Sequence, residues 1–186
     1  MWNFARKLGH VALALTLVCS LACHLTGNGF WYSLAITFLT AAYHIYMRTW
    51  VGLGVNARMH NQARYRSRWF AVSPREERLY RRLGVHRWKN RVPTQDPESF
   101  NIHTHSWEQL AMTTCQSEVV HELNLVLSFL PVLAAPWVGG LAAFLCTSVL
   151  AALLEASFIM IQRYNRARLV RLVDRQLRRA GSGKKG

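Results

Sequence analysis

The chain has 186 residues, 51% of them hydrophobic, and a formal charge of +14. Apolar and basic residues occupy separate stretches, an unusual combination for a soluble domain that predicts membrane spans joined by basic loops. Nucleic-acid binding, the common rival reading of an isoelectric point near 10.7, is disfavoured because the apolar runs are long enough to cross a bilayer.

Arg6 and Lys7 precede the first apolar run, at about residues 8–26, and give it a signal-like look. No small-residue cleavage site follows and a second apolar run comes at once, so the expectation is a retained span. Gly27-Asn28-Gly29 reads as a tight uncharged turn. A second span is expected at about 30–51, with Phe30, Trp31 and Tyr32 as an interfacial belt and His44 as a packed neutral histidine bonded to a neighbouring helix. Of the four cysteines, Cys19 and Cys23 have helical rather than zinc-hairpin spacing, and with Cys115 and Cys146 they read as small packing residues.

Residues 52–118 form a strongly basic loop, cytoplasmic by the positive-inside rule. Within it, Ser73-Pro74-Arg75-Glu76 predicts a helix start, with a cap, a proline at the first position and an acid three residues on. Leu79, Tyr80 and Leu83 make its apolar stripe and Gly84 its end, giving a short arginine-rich helix for the anionic leaflet. Val85 to Phe100 reads as loop, and Ser106 with Gln109 as the capping box of a new helix. That helix would run through Glu118 and His121 into the membrane. Between Leu123 and Ile161 the one charge is Glu155, which leaves room for two spans, about 121–138 and 141–162. The turn falls near Pro131, Pro136 and Gly139-Gly140. The basic tail, 163–186, carries a stripe of Leu169, Leu172, Val173 and Leu177 that reads as an interfacial helix, followed by disorder from Gly181. The expected architecture is therefore an all-α integral membrane protein, one membrane domain of about four transmembrane helices with interfacial amphipathic helices and both termini cytoplasmic.

Several groups of residues could carry chemistry. Glu118 and His121 lie three apart, on one face of a helix, where a carboxylate can orient an imidazole for general-base work on a hydroxyl; a polar belt capping a buried helix is the competing reading. His103-x-His105 suggests a metal pair, and His103 with Glu108 has the spacing of an acyltransferase box, but both are short patterns whose default is a solvated loop. Gln162-Arg163-Tyr164-Asn165-Arg166-Ala167-Arg168 offers phosphate-directed arginine forks and an amide for a polar headgroup, against the plainer reading of a positive-inside stop. Arg87-Trp88-Lys89 suits a headgroup interface. Glu155 lies about two turns inside the last span, where a carboxylate is costly unless it is paired, protonated or facing a cavity. Its candidate partners are His44 or another intramembrane histidine.

Tyr80, then Val85-His86-Arg87-Trp88-Lys89, Glu118-Val119-Val120-His121, Phe129-Leu130-Pro131 and the Gln162–Arg168 block occur in that order. This pattern resembles the glycosyl-4,4'-diaponeurosporenoate acyltransferases, small membrane proteins of bacterial carotenoid pathways. The resemblance runs from Tyr80 to Arg179, and its most specific part is the Gln-Arg-Tyr-Asn-Arg block. It implies transfer of a fatty acyl group from a thioester co-substrate to a sugar hydroxyl of a glycosylated C30 carotenoid acid, with no metal or other cofactor. His121 and Glu118 would be catalytic. Trp88, Lys89, Gln162, Arg163, Tyr164, Asn165, Arg166 and Arg168 would bind substrate, with Asn165 or an arginine on the oxyanion or on donor phosphates. His103, His105, Glu122 and Glu155 lie outside the pattern and are expected to be dispensable. The implied partners are the bilayer of the cell membrane, the lipidic glycoside acceptor and the acyl donor, and not nucleic acid. The rivals are acyl transfer to another glycolipid-like acceptor, a non-catalytic scaffold that binds anionic lipid or protein, and a metal-dependent hydrolase built on His103, His105 and Glu108.

Overall fold

The computed structural model of the protein describes residues 2–92 and 98–182. Every regular element among these residues is helical, and none is a strand. The α-helices are α1 (Trp2–Thr26), α2 (Gly29–Met59), α3 (Pro74–Arg82), α4 (Val85–Trp88), α5 (Trp107–Leu127), α6 (Ala135–Val138) and α7 (Leu141–Ser182), with short 3-10 turns between some of them. Three helical stretches are long and apolar enough to cross a membrane: Phe4–Thr26, Trp107–Val138 and Leu141–Ala180. The fourth expected span, α2, has the length at 31 residues. It is diluted by Tyr32, Ser33, Thr37, Thr40, Tyr43, His44, Tyr46 and Arg48, so a count of four is not reached on hydropathy.

The chain forms two compact units, residues 1–54 with 120–156 and residues 55–119 with 157–186. In the first, large apolar side chains point outward: Leu17 is 72% exposed and Trp137 83%, whereas Thr40, Ser128, Ser148 and Glu155 are buried. That inversion suits lipid outside and polar contacts between helices inside. The hydroxyls of Thr16, Thr37, Thr40, Ser128 and Thr147 donate to the carbonyl four residues back, so few polar groups are left to face lipid unsatisfied. Gly9 lets α1 approach α2, since a Cβ there would lie 2.9 Å from the Tyr46 ring. The last carbonyls of a helix lack partners along its own axis. Here Tyr43 donates to Leu127 O at 2.9 Å, at the end of α5, and Tyr32 donates to Val138 O, at the end of α6. Gly140 turns the chain into α7 at φ +69°, close against Ile36.

In the second unit the α3 capping box forms as expected. Ser73 Oγ accepts from the Glu76 N–H and Glu76 accepts from the Ser73 N–H, with Pro74 at the first position. Gly84, at φ +62°, ends the helix in the left-handed region open to glycine. In the stretch expected to be loop, Val85–Arg91 is helical: α4 and a 3-10 turn at Lys89–Arg91 follow at once, because Val85 is fully buried beside Tyr80 and Ile161. Pro93, Asp96 and Pro97 lie outside the described residues. Ser106 and Gln109 cap α5 reciprocally. Gln116 secures the left-handed turn at His60-Asn61, accepting from the Asn61 N–H at 2.7 Å and donating to Asn56 at 3.1 Å. The tail is not a separate helix. With no glycine or proline between Leu141 and Ala180, α7 continues unbroken to Ser182, and Gly183 to Gly186, with Lys184 and Lys185, lie outside the described residues.

Candidate active site

Nine of the ten residues singled out from the sequence belong to the second unit, and His121 belongs to the first. On α5, Glu118 is completely buried. Its Oε1 receives Arg163 Nη1 at 2.6 Å, and its Oε2 pairs with Arg166. Arg163 also donates to Glu76 Oε1 at 2.9 Å and to the carbonyls of Ala71 and Trp69. Arg166, 1% exposed, donates to Phe70 O at 2.9 Å and lies 5.1 Å from the Phe70 ring. Two arginine forks and one carboxylate therefore hold the 69–71 backbone, and neither guanidinium is presented as an open phosphate fork. Outside the membrane segments the same network reaches Glu76. Burial acts to raise its carboxyl, but the Ser73 N–H and Arg163 outweigh it and leave the group below its ordinary value. Tyr80 beside it is pushed up to about 12, first by burial and then by the Glu76 charge.

The other residues of this unit gather around Tyr164. Lys89 donates to Asn165 Oδ1 at 2.8 Å and stands 5.5 Å from the Tyr164 ring, with Arg168 5.9 Å from the same ring. Trp88 donates through its indole N–H to Leu83 O at 3.1 Å and, like Tyr164, packs against the cluster of Tyr80, Val85 and Ile161. Gln162 is buried, and its Oε1 has no hydrogen-bond partner among the described residues.

In the first unit, His121 Nδ1 lies 2.7 Å from Glu155 Oε2. Glu155, 1% exposed, holds Arg48 on its other oxygen at 3.0 Å. A carboxylate on Nδ1 fixes the tautomer in which Nε2 can accept a proton. Beside this arrangement is a cavity of about 240 Å³ lined by His44, Arg48, Ser128, Ala151, Leu154 and Glu155. His44 is packed, but neither ring nitrogen has a hydrogen-bond partner among the described residues, in contrast to the expected bond to a neighbouring helix. The reading by spacing missed that Glu155 and Arg48 accompany His121. The one available signal was the cost of an intramembrane carboxylate, which called for a histidine partner without saying which. His105 Nδ1 lies 2.9 Å from Thr104 Oγ1, and Glu108 accepts from Tyr65 at 3.1 Å. Among the described residues no three His, Cys, Asp or Glu side chains converge as metal ligands.

A comparison with curated proteins finds no match, and neither does one with solved structures. The family model described as glycosyl-4,4'-diaponeurosporenoate acyltransferase matches residues 62–175, more than half of the chain. That stretch contains α3, the Trp88-Lys89 pair, α5 with Glu118 and His121, and the Gln162–Arg168 block. The chain belongs to the glycosyl-4,4'-diaponeurosporenoate acyltransferase family and is an acyltransferase of carotenoid biosynthesis.

Proposed function

We propose that the protein esterifies a sugar hydroxyl of a glycosylated carotenoid acid with a fatty acyl group, in the cell membrane, with His121 as general base. The observation that carries this reading is the 2.7 Å contact between His121 Nδ1 and Glu155 Oε2. The orienting role that helical spacing offered to Glu118 passes to Glu155, because both oxygens of Glu118 are taken by arginines. Nε2 removes the proton of the acceptor hydroxyl as its oxygen attacks the thioester carbonyl. The C–O bond forms, the C–S bond breaks, and the imidazolium returns the proton to the departing thiolate. Glu155 stabilises the imidazolium and Arg48 holds Glu155, so neither becomes a proton donor to substrate. The cavity beside Glu155, whose lining also includes Ala41, Ile45 and Met47, would take an apolar part of a substrate.

Trp88, Lys89, Gln162, Tyr164, Asn165 and Arg168 would receive the polar end of a substrate, and Arg163 and Arg166 would hold them in place through Glu118. The reading also includes four spans, α2 being the fourth, with both termini on the cytoplasmic side where the basic stretches would meet anionic lipid. No metal takes part in this scheme.

The test is mass spectrometry of lipid extracts from cells that make a glycosylated carotenoid acid and express wild-type protein or His121→Ala. A species heavier by one acyl chain is expected with wild type alone. Acylation by both proteins, with the variant in the membrane at equal level, would discard His121. Acylation of a different glycoside in an acceptor panel would replace the substrate.

A further inference from the structure

The buried charges of the second unit are balanced, and two solvent-exposed pairs accompany them. Arg163 and Arg166 share Glu118, Arg163 also holds Glu76, Arg171 pairs with Glu77 at 3.1 Å and Arg66 with Asp174 at 2.6 Å. Lys89 departs from this pattern. It is half-buried, and no carboxylate among the described residues forms an ion pair with it or with Arg168. Burial, and then the like charge of Arg168, push its ammonium below the ordinary lysine value. Two cations on one tyrosine ring repel each other, and a desolvated cation without a counter-charge is costly. The Tyr164 ring attracts both, within the distance at which a cation and an aromatic face interact. That attraction is a fraction of what an anion would supply. Asn165 turns its Oδ1 to Lys89, and its amide N–H2 group is a further donor next to the two cations.

We infer that Lys89, Arg168 and Asn165, arranged on Tyr164, form a binding site for a phosphate group. The inference rests on the acyltransferase reading only in assigning the phosphate a use. On a soluble acyl donor it would be a phosphate of the thioester carrier, and on a membrane lipid it would be the headgroup. Lysine supplies the point charge, arginine a planar fork and asparagine a neutral donor, a combination suited to a tetrahedral oxyanion group. The two neighbouring arginines do not compete for it, because Glu118 and Glu76 together balance them.

Purified full-length protein in a neutral detergent is titrated calorimetrically with coenzyme A, and separately with micelles containing phosphatidylglycerol, using phosphatidylcholine micelles as the blank. Wild type is expected to bind at least one of the two phosphate probes, coenzyme A indicating a donor site and phosphatidylglycerol a lipid site. Lys89→Gln and Arg168→Gln should each weaken that binding about tenfold or more, the loss of one charge-assisted hydrogen bond. Arg175→Gln, an exposed tail arginine, should change it less than about twofold. Lys89→Arg should retain most of the binding, which guards against misfolding of the glutamine variant. No binding of either probe by wild type would overturn the site, as would an Arg175→Gln effect equal to that of Lys89→Gln. Binding by a preparation that acylates nothing would keep the phosphate site and remove the acyl-transfer reading. Acylation without binding would do the reverse.

Discussion

Glu118 and Glu155 are both nearly inaccessible, at 0% and 1% exposure, yet their surroundings give them different chemistry. Glu118 in the second unit is saturated by cations, with an arginine on each oxygen and those arginines tied to backbone carbonyls. Displacing its side chain would disturb the 69–71 segment that those arginines hold. Glu155 in the first unit has one arginine on one oxygen and one imidazole on the other. Burial of a carboxylate alone does not mark a catalytic group. The partner on each oxygen separates a carboxylate that braces two arginines from one that holds an imidazole.

That contrast predicts opposite phenotypes. The largest effect is expected from Glu118→Ala, which leaves the buried Arg166 without its counter-charge and Arg163 with Glu76 alone. Removing one member of a buried ion pair costs about 3–5 kcal/mol, read as a large fall in Tm in detergent with activity lost alongside. An unchanged Tm would remove the anchoring role. Glu155→Gln should do the reverse, keeping most of the melting temperature and losing turnover about 100-fold or more, because a glutamine amide can donate to Nδ1 and hold the wrong tautomer. Equal stability losses in the two variants would erase the distinction. Arg163→Lys tests whether the arginine block works as a brace. Lysine cannot reach Glu76, Glu118 and two carbonyls together, so a loss of about 1–3 kcal/mol is expected in denaturant or thermal unfolding, with KM for the donor little changed.

The smallest effects belong to the rim of the network. Ser73→Ala should cost about 1 kcal/mol by removing the α3 cap. Glu76 adds a pH dependence of known sign. Its folded carboxyl lies below the ordinary value of 4.5, so its stabilisation is present above that pH and is lost as acid takes the folded group through its depressed pKa. The Tm gap between wild type and Glu76→Gln should therefore be full near about pH 7 and close as the pH drops below 4.5. A gap that widened in acid would contradict the ion pair with Arg163.

What could be read without coordinates was local. Both capping boxes, the left-handed stop at Gly84 and the helical class depend on residues within a turn or two of each other, and they appear where the pattern places them. The Gln162–Arg168 block also stood out, because a stop signal does not require a glutamine, a tyrosine and an asparagine. The tail, read as an interfacial helix of its own, is continuous with the span helix, since a change from apolar to amphipathic composition does not break a helix that lacks glycine and proline. The order in Val85–Trp88 was missed because burial beside Tyr80 and Ile161, not propensity, produces it. The pairings that give each candidate residue its role lay further out of reach. His121 meets a carboxylate 34 positions away, Arg163 one 45 positions away and Lys89 an amide 76 positions away. Helical periodicity specifies which face a side chain occupies. Which other helix that face meets, and at what register, follows from the packing of whole helices, so the apolar runs, the charge segregation and the caps are properties of the sequence, while the choice between Glu118 and Glu155 as partner of His121 is a property of the packing.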